Sequence, residues 1–129
     1  MKKKIKIGCL IIFAFIITGM YCAYDFIFPK SPKLDFPDYS SVQSITVSDG
    51  RQPINISERE CEALYKYIST AKRTRNPSIH DMPAANPLYL VEIKSDQRPI
   101  LGYVYQEYGN YYFEIPYTGV YMFRIKKSW

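Results

Sequence analysis

Most of a β-sheet is predicted by one segment, residues 88–117, which reads LYLVEIKSDQRPILGYVYQEYGNYYFEIPY. Alternating apolar, aromatic and β-branched residues mark three strands in it, at Leu88–Lys94, Ile100–Glu107 and Tyr111–Tyr117. Between these runs stand two turn sequences, Ser95-Asp96 with Pro99 and Tyr108-Gly109-Asn110. We therefore expect three consecutive antiparallel strands joined by hairpin turns.

Further strands are predicted on both sides of this segment. Val42–Ser48 alternates in the same way, Asp49-Gly50 is a turn signal, and Pro53–Ile56 can form a short strand after it. Thr118-Gly119 is another turn, and Val120–Ile125 follows as a last strand. Residues 74–87 contain Pro77, Pro83 and Pro87 and are predicted to be a loop.

A single helix is predicted inside this domain, from Glu58 to Arg73. Ser57 followed by Glu60 is a capping box, in which each side chain binds the backbone N–H of the other residue. An apolar stripe at helical spacing follows, formed by Cys61, Leu64, Tyr65, Ile68 and Ala71. The expected fold class is α+β, with one helix packed on an antiparallel sheet of about five strands.

The N-terminal segment predicts a membrane anchor. Ile7–Tyr24 contains no charged residue, and four lysines precede it, which favours a cytoplasmic N-terminus. Cleavage after Ala23 and lipidation at Cys22 both require a small residue at the position that Tyr21 occupies. We therefore favour an uncleaved signal anchor over either kind of processing. The predicted organisation is a basic segment and single-span anchor at 1–28, a linker at 29–41 and an extracytoplasmic domain at 42–129.

The charge distribution argues against a nucleic-acid partner. The chain carries 17 Lys and Arg against 12 Asp and Glu, but four of the basic residues precede the apolar run. From residue 25 onward, 13 basic residues face 12 acidic ones. Because phosphate binding requires a basic surface, we expect no nucleic-acid binding.

The residues that could carry chemistry favour no enzyme. His80 is the only histidine, and it lies in a proline-bounded loop without a nucleophile motif. Cys61 lies on the apolar stripe beside Glu58, Glu60 and Glu62, so we interpret it as a buried structural cysteine. No catalytic residue, metal site or cofactor is predicted.

Tyrosines form the strongest candidate for a functional surface. One helix covers only one face of a sheet, so some of the many aromatic rings in residues 103–123 must stay on the other face or at its rim. The candidate binding residues are Tyr103, Tyr105, Tyr112, Tyr117 and Tyr121. Aromatic residues also favour strands and pair across hairpins, so a purely structural role is the alternative.

Three parts of the chain carry a resemblance to a known family. They are Leu34-Asp35-Phe36-Pro37 before the first strand, the pair Ala71–Arg75 and Asp81-Met82-Pro83, and the segment Tyr111–Tyr121, which closes on Pro-Tyr-Thr-Gly-Val-Tyr. Together they resemble a domain-of-unknown-function family of small membrane-anchored or secreted proteins from Firmicutes. The resemblance spans most of residues 34–125 and implies location and fold class, with no activity to transfer.

Three hypotheses for function follow from these observations. The preferred one is a non-enzymatic, membrane-tethered module that binds a protein or a cell-envelope component through tyrosines. The second is a small envelope hydrolase, or its accessory subunit, that uses His80. The third is a structural subunit of a membrane complex.

Overall fold

The computed structural model describes residues 2–126, and the chain divides into two compact units between residues 30 and 31. The first unit contains α1, Lys2–Ile27. Its segment Lys6–Ile27 has 22 residues with a mean hydropathy of 2.1. At about 1.5 Å per residue, this segment is long enough for the ~30 Å hydrocarbon layer of a membrane. Signal sequences share this length and composition, so the helix fits either an anchor or a signal sequence.

The second unit is built on one antiparallel sheet. Within residues 31–126 it has seven strands: β1 (Val42–Ser48), β2 (Pro53–Ile54), β3 (Lys72–Arg73), β4 (Leu88–Ser95), β5 (Ile100–Glu107), β6 (Asn110–Ile115) and β7 (Gly119–Phe123). They are arranged in the order β2-β1-β4-β5-β6-β7-β3. The α+β class is confirmed, but the expected count of five strands is wrong. β2 matches the short strand expected at Pro53–Ile56, whereas β3 lies in the segment that was predicted to continue the helix.

The helix of this unit, α2, spans Glu58–Ser69, and it brings the α-helices in the described residues to two. Its capping box is present: the Glu60 N–H donates to Ser57 Oγ (3.3 Å), and the Ser57 N–H donates to the Glu60 carboxylate (2.7 Å). The helix stops at Ser69 and not at Arg73 as predicted. Lys72 and Arg73 instead pair with β7 and extend the sheet, because edge pairing satisfies their backbone groups as well as a longer helix would.

The core lies between α2 and one face of the sheet. Ile68 of α2 is 1% exposed, and the strand residues Val91, Ile93 and Phe113 are exposed to 1% or less. Strand register aligns Phe113 with Val104 on one side and Tyr121 on the other, so these side chains share the covered face. The opposite face of the sheet is therefore not covered by α2.

Part of the predicted linker belongs to this domain. Ser31 is buried, its hydroxyl donating to the Val120 carbonyl (3.1 Å) and accepting from the Val120 N–H (2.9 Å). Leu34 and Phe36 pack against the core, and the Tyr65 hydroxyl donates to the carbonyl of Pro37. The boundary at residue 42 is thus wrong, because these two apolar side chains complete the core beside α2.

Candidate binding surface

Three of the predicted binding tyrosines share the sheet face that α2 leaves uncovered. Tyr105 of β5 pairs with Tyr112 of β6, and their rings stack at a centroid distance of 5.5 Å and an interplanar angle of 22°. Tyr103 lies two residues before Tyr105 and therefore points to the same face. All three side chains are half-buried. We call Tyr103, Tyr105 and Tyr112 the tyrosine surface.

Apolar neighbours extend this surface across the next strand. Leu90 of β4 pairs with Tyr103 and is half-buried. Leu101, two residues before Tyr103 on the same face, is 48% exposed. The tyrosine surface is therefore continuous with aliphatic side chains toward β4, as in surfaces that bind partners.

The loop at residues 74–87 lies against the same face and forms one border of the tyrosine surface. Ser78 of this loop donates a hydrogen bond to the carboxylate of Glu114 (2.7 Å), a β6 residue that pairs with Tyr103. Pro83 is buried. The predicted loop is therefore a packed structure and not a free connection.

Glu114 holds this border together. The residue is only 6% exposed, and its second carboxylate oxygen accepts a hydrogen bond from the Tyr105 hydroxyl (3.0 Å). Burial, and then the charge of Glu114 and the hydrogen bond to it, raise the pKa of the Tyr105 phenol. Both oxygens of this buried carboxylate thus accept from hydroxyl groups, which fixes the loop and the Tyr105 ring relative to the sheet.

A cavity of about 430 Å³ lies between the loop and the end of the tyrosine surface. Tyr105 and five polar residues line it: His80, Asn86, Gln106, Glu107 and Glu114. Pro77, Pro83, Ala84 and Ala85 of the loop form the rest of its wall. This volume is within the range of small-ligand sites. Carboxylate, amide and imidazole groups around an aromatic ring can accept and donate hydrogen bonds to a hydroxyl-rich ligand.

Tyr117 lies at the rim of this arrangement, in the turn between β6 and β7. It is 67% exposed and has a positive φ of 57°, a conformation that is costly for a side chain with a Cβ. Its N–H donates to Ser78 Oγ (3.1 Å). A hydrogen bond to the Asp81 carboxylate, together with the charge of that group, raises the pKa of Tyr117. The loop thus holds Tyr117 at both its backbone and its side chain.

Tyr121 does not belong to the exposed surface, contrary to the prediction. It lies on the face that α2 covers and is 3% exposed. Its hydroxyl donates to the Pro32 carbonyl (2.6 Å), which fixes the start of the domain. Tyr121 and Phe123 lie two residues apart on β7, so their side chains share one face of the strand. This spacing alone could have placed Tyr121 on the core face together with Phe123.

His80 and Cys61 lie in different places. His80 is an exposed residue of the loop, and the structure brings it to the cavity that Glu114 also lines. Cys61 is a partly buried free thiol on α2, and burial, followed by Glu60 and Glu58, raises its pKa. Within residues 2–126 no group of three or more His, Cys, Asp or Glu side chains is placed to hold a metal ion.

The sequence profile of the DUF5301 family, described as "Domain of unknown function (DUF5300)", matches residues 30–122. The chain belongs to this family. The matched range begins beside Ser31, where the structure also begins the domain, and it contains the whole tyrosine surface and the loop at residues 74–87. The DUF5301 domain is thus larger than the range 42–129 that the sequence predicted at its N-terminal end.

A solved relative has the same fold as this DUF5301 domain. The solution NMR structure of a protein from Ruminococcus gnavus is 30% identical, and the match covers 76% of this chain and 96% of that chain, with a TM-score of 0.52. A search of curated proteins finds no match. These similarities show the family and the fold of the domain.

Proposed function

We propose that the DUF5301 domain of this protein is a non-enzymatic module that binds a glycan of the cell envelope, held at the outer side of the membrane by α1. The observation that carries the proposal is the tyrosine surface, on the sheet face that α2 leaves uncovered, beside a cavity whose wall contains five polar side chains. Aromatic faces pack on the apolar faces of sugar rings, while carboxylate and amide groups bind the hydroxyls. A protein partner would gain less from the polar cavity, so we favour the glycan.

Two substitutions on the tyrosine surface test this proposal. Tyr103→Ser with Tyr112→Ser removes two rings and leaves Tyr105 bound to Glu114. The assay measures how much protein cosediments with purified peptidoglycan sacculi from which phosphate polymers have been removed. We expect the affinity of the double variant for these sacculi to be about tenfold lower, since each ring contact contributes about 0.5–1.5 kcal/mol. The full chain in detergent is used throughout.

Tyr108→Asn is the matched control. Tyr108 is a 92% exposed tyrosine in the turn between β5 and β6, and its positive φ of 50° suits asparagine. This variant removes one exposed ring outside the tyrosine surface, so we expect its binding to equal that of the unchanged protein. Equal binding of the double variant and the control, or absence of sacculus binding altogether, would refute the glycan proposal.

His80 supplies a rival activity, since it lines the cavity together with Glu114. A hydrolase that used His80 would release soluble fragments from the sacculi, and the His80→Ala variant would not. Under the binding proposal, neither protein releases fragments, and His80→Ala changes cosedimentation less than the two tyrosine substitutions do.

The anchor is the second part of the proposal, and it is supported by the length and hydropathy of Lys6–Ile27. We expect N-terminal sequencing of the protein recovered from membranes to give Met1 or Lys2, and alkaline carbonate washing to leave it in the membrane fraction. A mature start at Cys22 or directly after Ala23 would show cleavage and would refute the uncleaved anchor.

A further inference from the structure

A second cleft, of about 570 Å³, lies where β7 and the short β3 meet the end of α2. Four of the eight side chains that line it are cationic: Lys66, Lys72, Arg124 and Lys126. Its other lining residues are Tyr67, Thr70, Met122 and Phe123, so the described lining contains no carboxylate. These cations come from three parts of the chain that are separate in sequence, and the fold brings them together.

The charge of this cleft contrasts with that of the domain. Residues 31–126 contain 11 Lys and Arg and 11 Asp and Glu, so the described domain has no net charge. More than a third of its basic residues nevertheless line one cleft. Positive charges gathered in this way repel one another, and a bound anion would relieve that repulsion.

The cleft has a packed floor and at least one positioned cation. Tyr67 stacks on Phe123 at a centroid distance of 6.0 Å, and Phe123 stacks on Tyr111 at 5.6 Å. Arg124 Nε donates to Asn110 Oδ1 (3.2 Å), which orients the guanidinium and leaves its terminal N–H groups for a ligand. Lys72 is fixed at the sheet edge, opposite Met122.

The cleft adjoins the tyrosine surface through a single pair of residues. Met122, which lines the cleft, pairs with Tyr112 in the register between β6 and β7. Phe123 and Met122 point to opposite faces of β7, so an extended ligand could pass from the cleft around the sheet edge to the face of the tyrosine surface, whereas a lipid headgroup ends at its phosphate. This continuity favours a polymer over a single headgroup.

We propose that this cleft binds the phosphate groups of an anionic, phosphodiester-linked polymer of the cell envelope. The inference does not depend on the glycan proposal, because it rests on Lys66, Lys72, Arg124 and Lys126 and not on the tyrosines. Guanidinium and ammonium groups bind phosphate through charge-assisted hydrogen bonds. Binding is therefore salt-dependent, with one displaced counterion for about every contact.

The test measures binding of fluorescently labelled poly(glycerol phosphate) to the full chain in phosphatidylcholine nanodiscs, by anisotropy at several salt concentrations. For Lys72→Gln with Arg124→Gln, we expect affinity to fall tenfold or more. The slope of log affinity against log salt should decrease by about two, one for each lost phosphate contact. Excess inorganic phosphate should compete with the polymer.

Arg51→Gln with Arg98→Gln is the control, since it removes the same charge from two exposed turn residues on the other half of the sheet. We expect the affinity and salt slope of the unchanged protein, with identical near-ultraviolet circular dichroism for both double variants. No polymer binding, or the same loss in both variants, overturns the proposal. Binding only to nanodiscs that contain phosphatidylglycerol assigns the cleft to lipid headgroups and also overturns it.

Discussion

Replacing Phe113 with alanine is expected to lower the free energy of unfolding by about 3–5 kcal/mol, as for other fully buried aromatic residues. Phe113 is 0% exposed, and its ring lies over Gly102 on the neighbouring strand, where an added Cβ would collide with the ring. Urea unfolding of the full chain in detergent, followed by the near-ultraviolet circular dichroism of its tyrosines, measures this change. Domains of this size have a total stability of about 5–15 kcal/mol, so this loss would remove a substantial part of it.

Gly102→Ala provides the matched test of the same contact. The added Cβ would also lie 2.9 Å from the Glu114 carbonyl oxygen, so we expect a loss of about 1–3 kcal/mol from overpacking. With Phe113 already replaced by alanine, the same substitution should cost clearly less, because the ring is gone. Additive losses in the double variant would contradict the packing described for Phe113 and Gly102.

The second large effect is expected at Glu114. Glu114→Ala leaves the hydroxyls of Ser78 and Tyr105 without the acceptor that each has now, and it opens a gap under the loop at residues 74–87. We expect a loss of about 3 kcal/mol, since hydrogen bonds to a charged group contribute about 1.5–3 kcal/mol each. The same urea unfolding experiment measures it.

Hydrogen exchange separates loss of the loop from general unfolding. The Tyr117 N–H donates to Ser78 Oγ, so its exchange should accelerate in Glu114→Ala and in Ser78→Ala, while amides of β4 keep their protection. Ser78→Ala keeps the bond between Tyr105 and Glu114 and should therefore lose less stability. Unchanged exchange at Tyr117 in both variants would show that Glu114 does not hold the loop.

Local sequence patterns predicted much of the sheet and the start of α2. The strands Val42–Ser48 and Ile100–Glu107 have the bounds expected from their alternation, and the capping box at Ser57 places the helix start. These features depend on neighbours within a few residues. The end of α2 was wrong because Lys72 and Arg73 pair with β7, about fifty residues away in sequence.

Contacts between distant residues account for the features that the sequence did not reveal. The prolines around Leu34 and Phe36 suggested a linker, but their burial depends on the space beside α2. The bond between Ser78 and Glu114 spans 36 residues and turns a proline-rich loop into the border of a cavity. The net charge of the domain is near zero, so composition gave no indication that the fold places four cations at one edge of the sheet: Lys66, Lys72, Arg124 and Lys126.

The tyrosine surface was foreseen in part. Alternation placed Tyr103 and Tyr105 on one face of their strand, and the pairing of Tyr105 with Tyr112 in the structure brings Tyr112 to the same face. Tyr117 was expected at the end of a strand, but β6 ends at Ile115 and the turn and the loop set the position of Tyr117. Tyr121 was assigned to the exposed surface but is buried. The part of the surface that could be read from sequence is thus the part that lies on regular strands.

The most direct test of the glycan proposal is an NMR titration of the full chain in detergent, labelled with ¹³C in its tyrosine rings, with soluble muropeptides as the probe. We predict that the ring signals of Tyr103, Tyr105 and Tyr112 shift on binding, while those of the buried Tyr65 and of Tyr108, which lies in the turn after β5 and outside the tyrosine surface, stay in place. Shifts at Tyr108 without shifts on the tyrosine surface, or no shifts in any ring, would contradict the proposal.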